Sequence, residues 1–172
     1  MTEDAVKPYT DYVLPPTLVS KIDVSRLVNE AEKVDLELTG LEVRAKTGAA
    51  EGSKPVMSDQ LNEFITKNDI TLDNSQKRSE LIKQLHLLKD HLPVIHMTFA
   101  VTADRDSLQQ LANWLRASIH PQAVIEVGLQ PALVAGVYLR TANQVKDLSV
   151  RGVLQARHGD LVTELEGLRG GK

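Results

Sequence analysis

Three histidines, His86, His91 and His96, stand five residues apart, and imidazole is the commonest metal ligand among side chains. On a helix, five residues leave successive rings about 140° from sharing a face. Pro93 also interrupts the helix between the second and third. They read as helix-end or surface residues rather than a metal centre. Asp104, Arg105 and Asp106 bring two carboxylates close together, as acid–base chemistry requires. Placed just before an apolar-periodic run, they read better as charge at a helix N-terminus. Ser107 and Ser149 lie at no spacing from a histidine that would mark a nucleophile and its base, although such sets also form in space. Gly170-Gly171-Lys172 has the residue types of a phosphate loop, but no helix follows. No Gly-x-x-x-x-Gly-Lys-Ser/Thr occurs, so a P-loop is not expected. His120 and His158 fall at predicted helix boundaries. No catalytic residue, cofactor site or metal site is assigned.

Composition narrows the classes further. The chain has 172 residues, 42% hydrophobic and 25% charged, enough for a core and a polar surface in one or two domains. It has no cysteine, which removes disulfides and thiolate chemistry. Aromatic residues are only 3%, too few for a base-stacking platform. Twelve basic and sixteen acidic residues precede Val94, and eight and seven follow it. Neither part offers the basic stripe that nucleic-acid binding needs. The polar Met1–Thr10 segment lacks the apolar stretch of a secretory signal. No run approaches 18 apolar residues, so a role at a membrane would be indirect, through a partner.

The elements that must position any site are read from periodicity. Residues 1–16, with Pro8, Pro15 and Pro16, predict an extended or loosely docked arm. Val24, Leu27, Ala31, Val34, Leu38, Leu41 and Ala45 alternate at three and four residues, predicting a helix with one apolar seam. Asp23 or Ser25 could cap it. The seam fits either its own domain or a helix of another chain. Residues 47–57 read as a flexible linker. Ser58 caps a short helix carrying Leu61, Phe64 and Ile65. Asp73 with Gln76 has capping-box spacing and opens a helix with Leu81, Leu85, Leu88 and Leu92, stopped by Pro93.

Beyond Pro93 the pattern changes. Val94–Thr102 predicts a strand, and Asp104 or Asp106 caps a helix with Leu108, Leu111, Ala112, Leu115 and Ile119 inward. Val124–Val127 is a short strand. Leu133–Thr141 and Gln144–Val150 form a hairpin about Ala142–Asn143. A last helix covers about His158–Leu168. The fold class is α+β: an arm (1–16), a helical region (17–93), a C-terminal strand-helix-strand-hairpin-helix unit (94–169) and a short tail (170–172). Within it, Gly136 calls for a bulge or the close approach of another backbone. Asp147 and Ser149 suit backbone hydrogen bonds at a strand end, and Arg151 suits an ion pair with Asp147 or a carbonyl contact.

The run from Val127 to Arg140, with small residues Ala135 and Gly136 inside an apolar strand, resembles the signature strand of ATP synthase delta subunits. The same family includes the mitochondrial oligomycin-sensitivity-conferring protein. The run from Val145 to Leu154 is similar to the family's Asp-Gly-Ser-apolar-Arg-Gly-x-Leu motif, carried here by Asp147, Ser149, Arg151 and Gly152. The resemblance covers about residues 94–168, and less distinctly the helices at 58–92. Residues 1–57 lack the family's opening Tyr-Ala-x-Ala-Leu helix. Leu148 replaces the motif glycine, so a positive φ there would be strained.

The resemblance implies a peripheral-stalk, or stator, subunit of a rotary proton-translocating ATP synthase. Such a subunit joins the catalytic alpha/beta head to the b-subunit helices, resists rotor torque and catalyses nothing. It implies a cytoplasmic protein, peripheral on the inner face of the cell membrane through the complex. Leu154, Leu161, Leu165 and Leu168 are then candidate contacts for the b helices. Leu27, Val34, Leu38 and Leu41 on the N-terminal seam are candidate contacts for the head. The alternative is a small α+β ligand-binding or regulatory domain unrelated to the synthase, which would need a concave site with convergent polar groups.

Overall fold

A computed structural model describes residues 6–48, 53–141 and 143–170, without the side chains of 161, 165 and 167–170. The protein is α+β, with six helices and a four-stranded mixed sheet among the described residues. It forms two compact units: Met1–Pro93 with Leu108–Val124, and Val94–Ser107 with Ile125–Lys172. No helix among the described residues is long and apolar enough to cross a membrane.

The first unit is helical. Helix α1 spans Lys21–Thr47. Its cap is Ser20, not Asp23 or Ser25: Ser20 Oγ accepts from the Asp23 N–H, and the Asp23 carboxylate accepts from the Ser20 N–H at 2.9 Å. Asp23 is thus the third residue of a capping box, with two otherwise orphaned donors satisfied reciprocally. Gly48, at φ +71°, ends the helix in the left-handed conformation that suits glycine. Ser58 caps α2 (Asp59–Asn68). Helix α3 (Ser75–His91) is capped by Asn74, whose side chain accepts from the Gln76 N–H, so the expected Asp73 cap is displaced by one residue.

The seam of α1 divides along its length. Val24, Leu27, Ala31 and Val34 are buried with Val28, among Leu61 and Phe64 of α2 and Leu81, Leu85 and Leu88 of α3 in the unit's core. Leu38 and Leu41 are half-buried and Ala45 is exposed. Arg78 is buried yet fully partnered: Asp35 at 2.6 Å, Glu42 at 2.8 Å and the Leu72 carbonyl at 2.9 Å. Burial alone would lower its pKa, but the hydrogen bonds and charges of Asp35 and Glu42 outweigh that and raise it.

The N-terminal segment is not a loose arm. Tyr12, Leu14, Pro15, Leu18 and Val19 are buried, and Tyr12 meets Phe64 edge-on at 5.4 Å between centroids. Helix α4 (Arg105–Ser118) buries Ala112 and Leu115, whereas Ile119 lies past its end and is exposed. Asp104 accepts from the Ser107 N–H at 2.9 Å and so caps it.

In the second unit, β1 (Val94–Phe99), β2 (Val124–Leu129), β3 (Gly136–Arg140) and β4 (Val145–Ser149) order as β2-β1-β3-β4. β3 pairs antiparallel with β1, His96 opposite Arg140, and with β4, Gly136 opposite Ser149. β3 begins later than the sequence pattern predicts, because Pro131–Leu133 form a 3-10 turn. β4 gives way at Val150 to a helix, α5 (Val150–Ala156), which periodicity had not separated from the strand. Helix α6 covers His158–Gly170.

Candidate functional site

The hairpin β3–β4 and the start of α5 converge on the residues singled out in the sequence. Gly136 has φ +93°, and a Cβ there would lie 2.4 Å from the Leu148 carbonyl oxygen and 2.8 Å from Ser149 Cα. Only glycine meets both demands, on conformation and on space. Asp147 Oδ1 accepts from the Ser149 N–H at 2.9 Å and from the Ser149 hydroxyl at 2.5 Å. Ser149 is fully buried, and its Oγ accepts from the Gly152 N–H at 3.1 Å, capping α5. A Cβ on Gly152 would stand 2.8 Å from the Asp147 carboxylate. Four motif residues therefore close one knot that turns the chain from strand into helix.

The Ser149 hydroxyl and N–H hold the Asp147 carboxyl below the usual carboxylate range, with a smaller pull from the charge of Arg151. Arg151 is exposed and makes no ion pair with Asp147 among the described residues. Leu148 sits in β4 without a positive φ, so the expected strain at that position does not arise. It appears instead at Val134, with φ +67° and ψ −55°, where the Ala135 N–H donates to the Leu133 carbonyl at 2.8 Å. That is a γ-turn of the rare, strained hand on a β-branched residue. Ala135 follows it, and its carbonyl accepts from the Val150 N–H at 2.9 Å. Ala142 of the hairpin loop lies outside the described residues.

What the knot presents is apolar. Helix α5 buries none of its side chains. Val150, Val153 and Leu154 are 42%, 54% and 49% exposed and stand at i, i+3 and i+4, one stripe of a helix. Leu148 and Val162 are exposed nearby in sequence. The side chains of Leu161, Leu165 and Leu168 lie outside the described residues. Of the four seam candidates in the helical unit, Leu27 and Val34 are 1% and 4% exposed. Both pack in the unit's core, and Val34 also reaches the floor of the groove that Leu38 and Leu41 line. Leu38 and Leu41 line a surface groove of about 430 Å³ with Lys54, Pro55, Met57 and Leu72.

The polar candidates disperse. His86 meets Glu32 at 2.8 Å, His91 stacks on Tyr9 and contacts the Leu87 carbonyl, and His96 meets Glu126 at 3.1 Å. Among the described residues no three His, Asp or Glu side chains gather as a metal cluster would. Asp104 is spent on its helix cap. Sequence reasoning missed α5, although Ser149 before Val150, Val153 and Leu154 is a legible cap-and-stripe signal. It also missed Asn68, Arg116 and Gln122, whose partners are distant backbone groups that no local pattern encodes. No protein-family model matches this chain, and no curated protein matches it.

Proposed function

We propose that this protein is a non-catalytic stator subunit of a rotary ATP synthase, of the delta type. Its second unit would receive the ends of the b-subunit helices, and its helical unit would meet the alpha/beta head. The observation that carries the reading is α5, a helix with no buried side chain and an apolar stripe at Val150, Val153 and Leu154. The knot below it uses its polar groups internally, leaving shape and apolar area to do the work. A helix laid along that stripe would bury it in the way amphipathic helices are generally received. The knot is built from Gly136, Asp147, Ser149 and Gly152, the residues on which the delta resemblance rests. Proton translocation and ATP chemistry would belong to other subunits, and attachment to the inner face of the cell membrane would follow from the complex.

The test is a native pull-down of the tagged full chain from gently solubilised membranes, with partners identified by mass spectrometry. Near-stoichiometric alpha, beta and b subunits are expected. Their absence, from an extract in which the synthase is intact, would refute the assignment.

A further inference from the structure

The seat of the N-terminal segment is built like a peptide receptor. Five polar side chains of the helical unit read the backbone of residues 9–18. Asn68 pairs with Val13 through both amide atoms, accepting from its N–H at 2.8 Å and donating to its carbonyl at 3.1 Å. Gln122 donates to the Tyr9 carbonyl at 2.6 Å and to the Tyr12 carbonyl at 3.0 Å. Gln84 accepts from the Tyr9 N–H at 3.0 Å, and Gln60 donates to the Thr17 carbonyl at 3.0 Å. Arg116 spans the Pro15, Leu18 and Ala123 carbonyls. It has no carboxylate partner among the described residues, and burial lowers its pKa.

Side chains alternate across residues 12–14. Tyr12 and Leu14 point into the unit and are 2% and 4% exposed, while Val13 between them is 56% exposed. Backbone hydrogen bonds for affinity, with pockets for alternate side chains, is the arrangement by which proteins hold an extended peptide. Within the segment the Asp11, Tyr12 and Leu18 N–H groups donate to the Pro8, Tyr9 and Pro15 carbonyls; the bonds named above, which tie it to the rest of the unit, run instead to side chains, as they do to a ligand. One pocket is also imperfect. The Tyr12 hydroxyl is buried with no hydrogen-bond partner among the described residues, which costs free energy that is regained whenever the segment lifts out.

We propose that residues 9–18 are a displaceable ligand held in cis, and that their seat in the helical unit is a binding groove for a peptide of this type, a 3-10 turn at Tyr9–Asp11 followed by a short extended stretch. The natural competitor is the same segment of a second copy, because it carries the matching Tyr-x-Leu-Pro pattern.

Hydrogen exchange on the intact protein is the first test. The amides of Tyr12, Val13 and Leu18, all hydrogen-bonded, are expected to exchange by a local opening roughly tenfold or more faster than those of Leu85 and Leu88 in α3. Tyr12→Phe removes the unpaired hydroxyl and is expected to slow that opening by roughly tenfold. A labelled synthetic peptide of residues 6–19, added in excess to the intact chain, should bind saturably, and unlabelled peptide should compete it off. Exchange of the segment only together with α3, or failure of the peptide to bind once opening is observed, overturns the proposal. A peptide that binds Asn68→Ala and Gln122→Ala chains as well as the wild type also overturns it, because the groove would not be what it recognises.

Discussion

In the helical unit Phe64, Leu27, Leu85 and Leu88 are enclosed to within 1% of full burial, whereas on α5 Val150, Val153 and Leu154 stay in solvent. The same residue types thus have opposite fates in the two units. Burial of a Leu or Phe is worth about 1.5–3 kcal/mol, so the helical unit holds itself together with its own side chains. The second unit is held at its hairpin by geometry instead: a glycine, Gly136, whose Cβ would meet backbone, and a serine cap fixed by an aspartate. A contiguous apolar stripe left in water marks an interaction surface more often than a defect. The difference places an enclosed apolar core in the helices and an exposed apolar stripe on α5.

The largest effect should come from truncating the enclosed core. Phe64→Ala is expected to destabilise the helical unit by about 3–5 kcal/mol, read as lost exchange protection in α1 and α3 and a lower urea midpoint. Truncation on the stripe, Leu154→Ala, should change stability by less than about 0.5 kcal/mol. If both variants cost the same, the contrast between the units fails. Gly136→Ala should cost about 2–3 kcal/mol from backbone strain alone, seen as loss of the amide protection that pairs β3 with β4. An unperturbed hairpin would mean the close approach at Leu148 relaxes freely. Ser149→Ala removes a buried cap and should cost about 1 kcal/mol, with faster exchange at the Gly152 amide.

The smallest effect is a pH dependence. The Asp147 carboxyl is held below its ordinary range in the folded state, so its contribution is present above the unfolded carboxylate pKa of about 3.9. It is lost as pH falls through the lower folded value. Protection of the Ser149 amide should therefore decline only in strong acid, and Asp147→Asn should remove that dependence. A decline already complete near neutral pH would point to a different group.

The helices were largely legible in the sequence because their information is local. The three-and-four spacing from Val24 to Val34 and the leucines of α3 place the core directly. Caps were legible only to within a residue or a few, since Ser20, Asp23 and Ser25 all have the chemistry and only the reciprocal bonds of Ser20 with Asp23 decide among them. The seam was ambiguous because periodicity identifies an apolar face but not what covers it; α2 and α3 cover its first half. The candidate site was half legible. Gly136, Asp147, Ser149 and Gly152 could be named as structural residues, but their closure into one knot depends on pairing Gly136 with Ser149 across the hairpin. The arm was misread because its buried residues, Tyr12, Leu14 and Leu18, are held by Asn68, Arg116 and Gln122, some 50 to 110 positions away.

On the proposed stator role, the α5 stripe is the surface that receives the b-subunit helices. It is tested most directly by repeating the native pull-down with the full-length Val153→Asp/Leu154→Asp double variant beside the wild type. Both positions are exposed, so the variant should fold with an unchanged urea midpoint. The account predicts that the b subunit is lost from the captured complex while the wild type retains it. Equal recovery of b by a folded double variant would contradict the assignment of α5 as the contact.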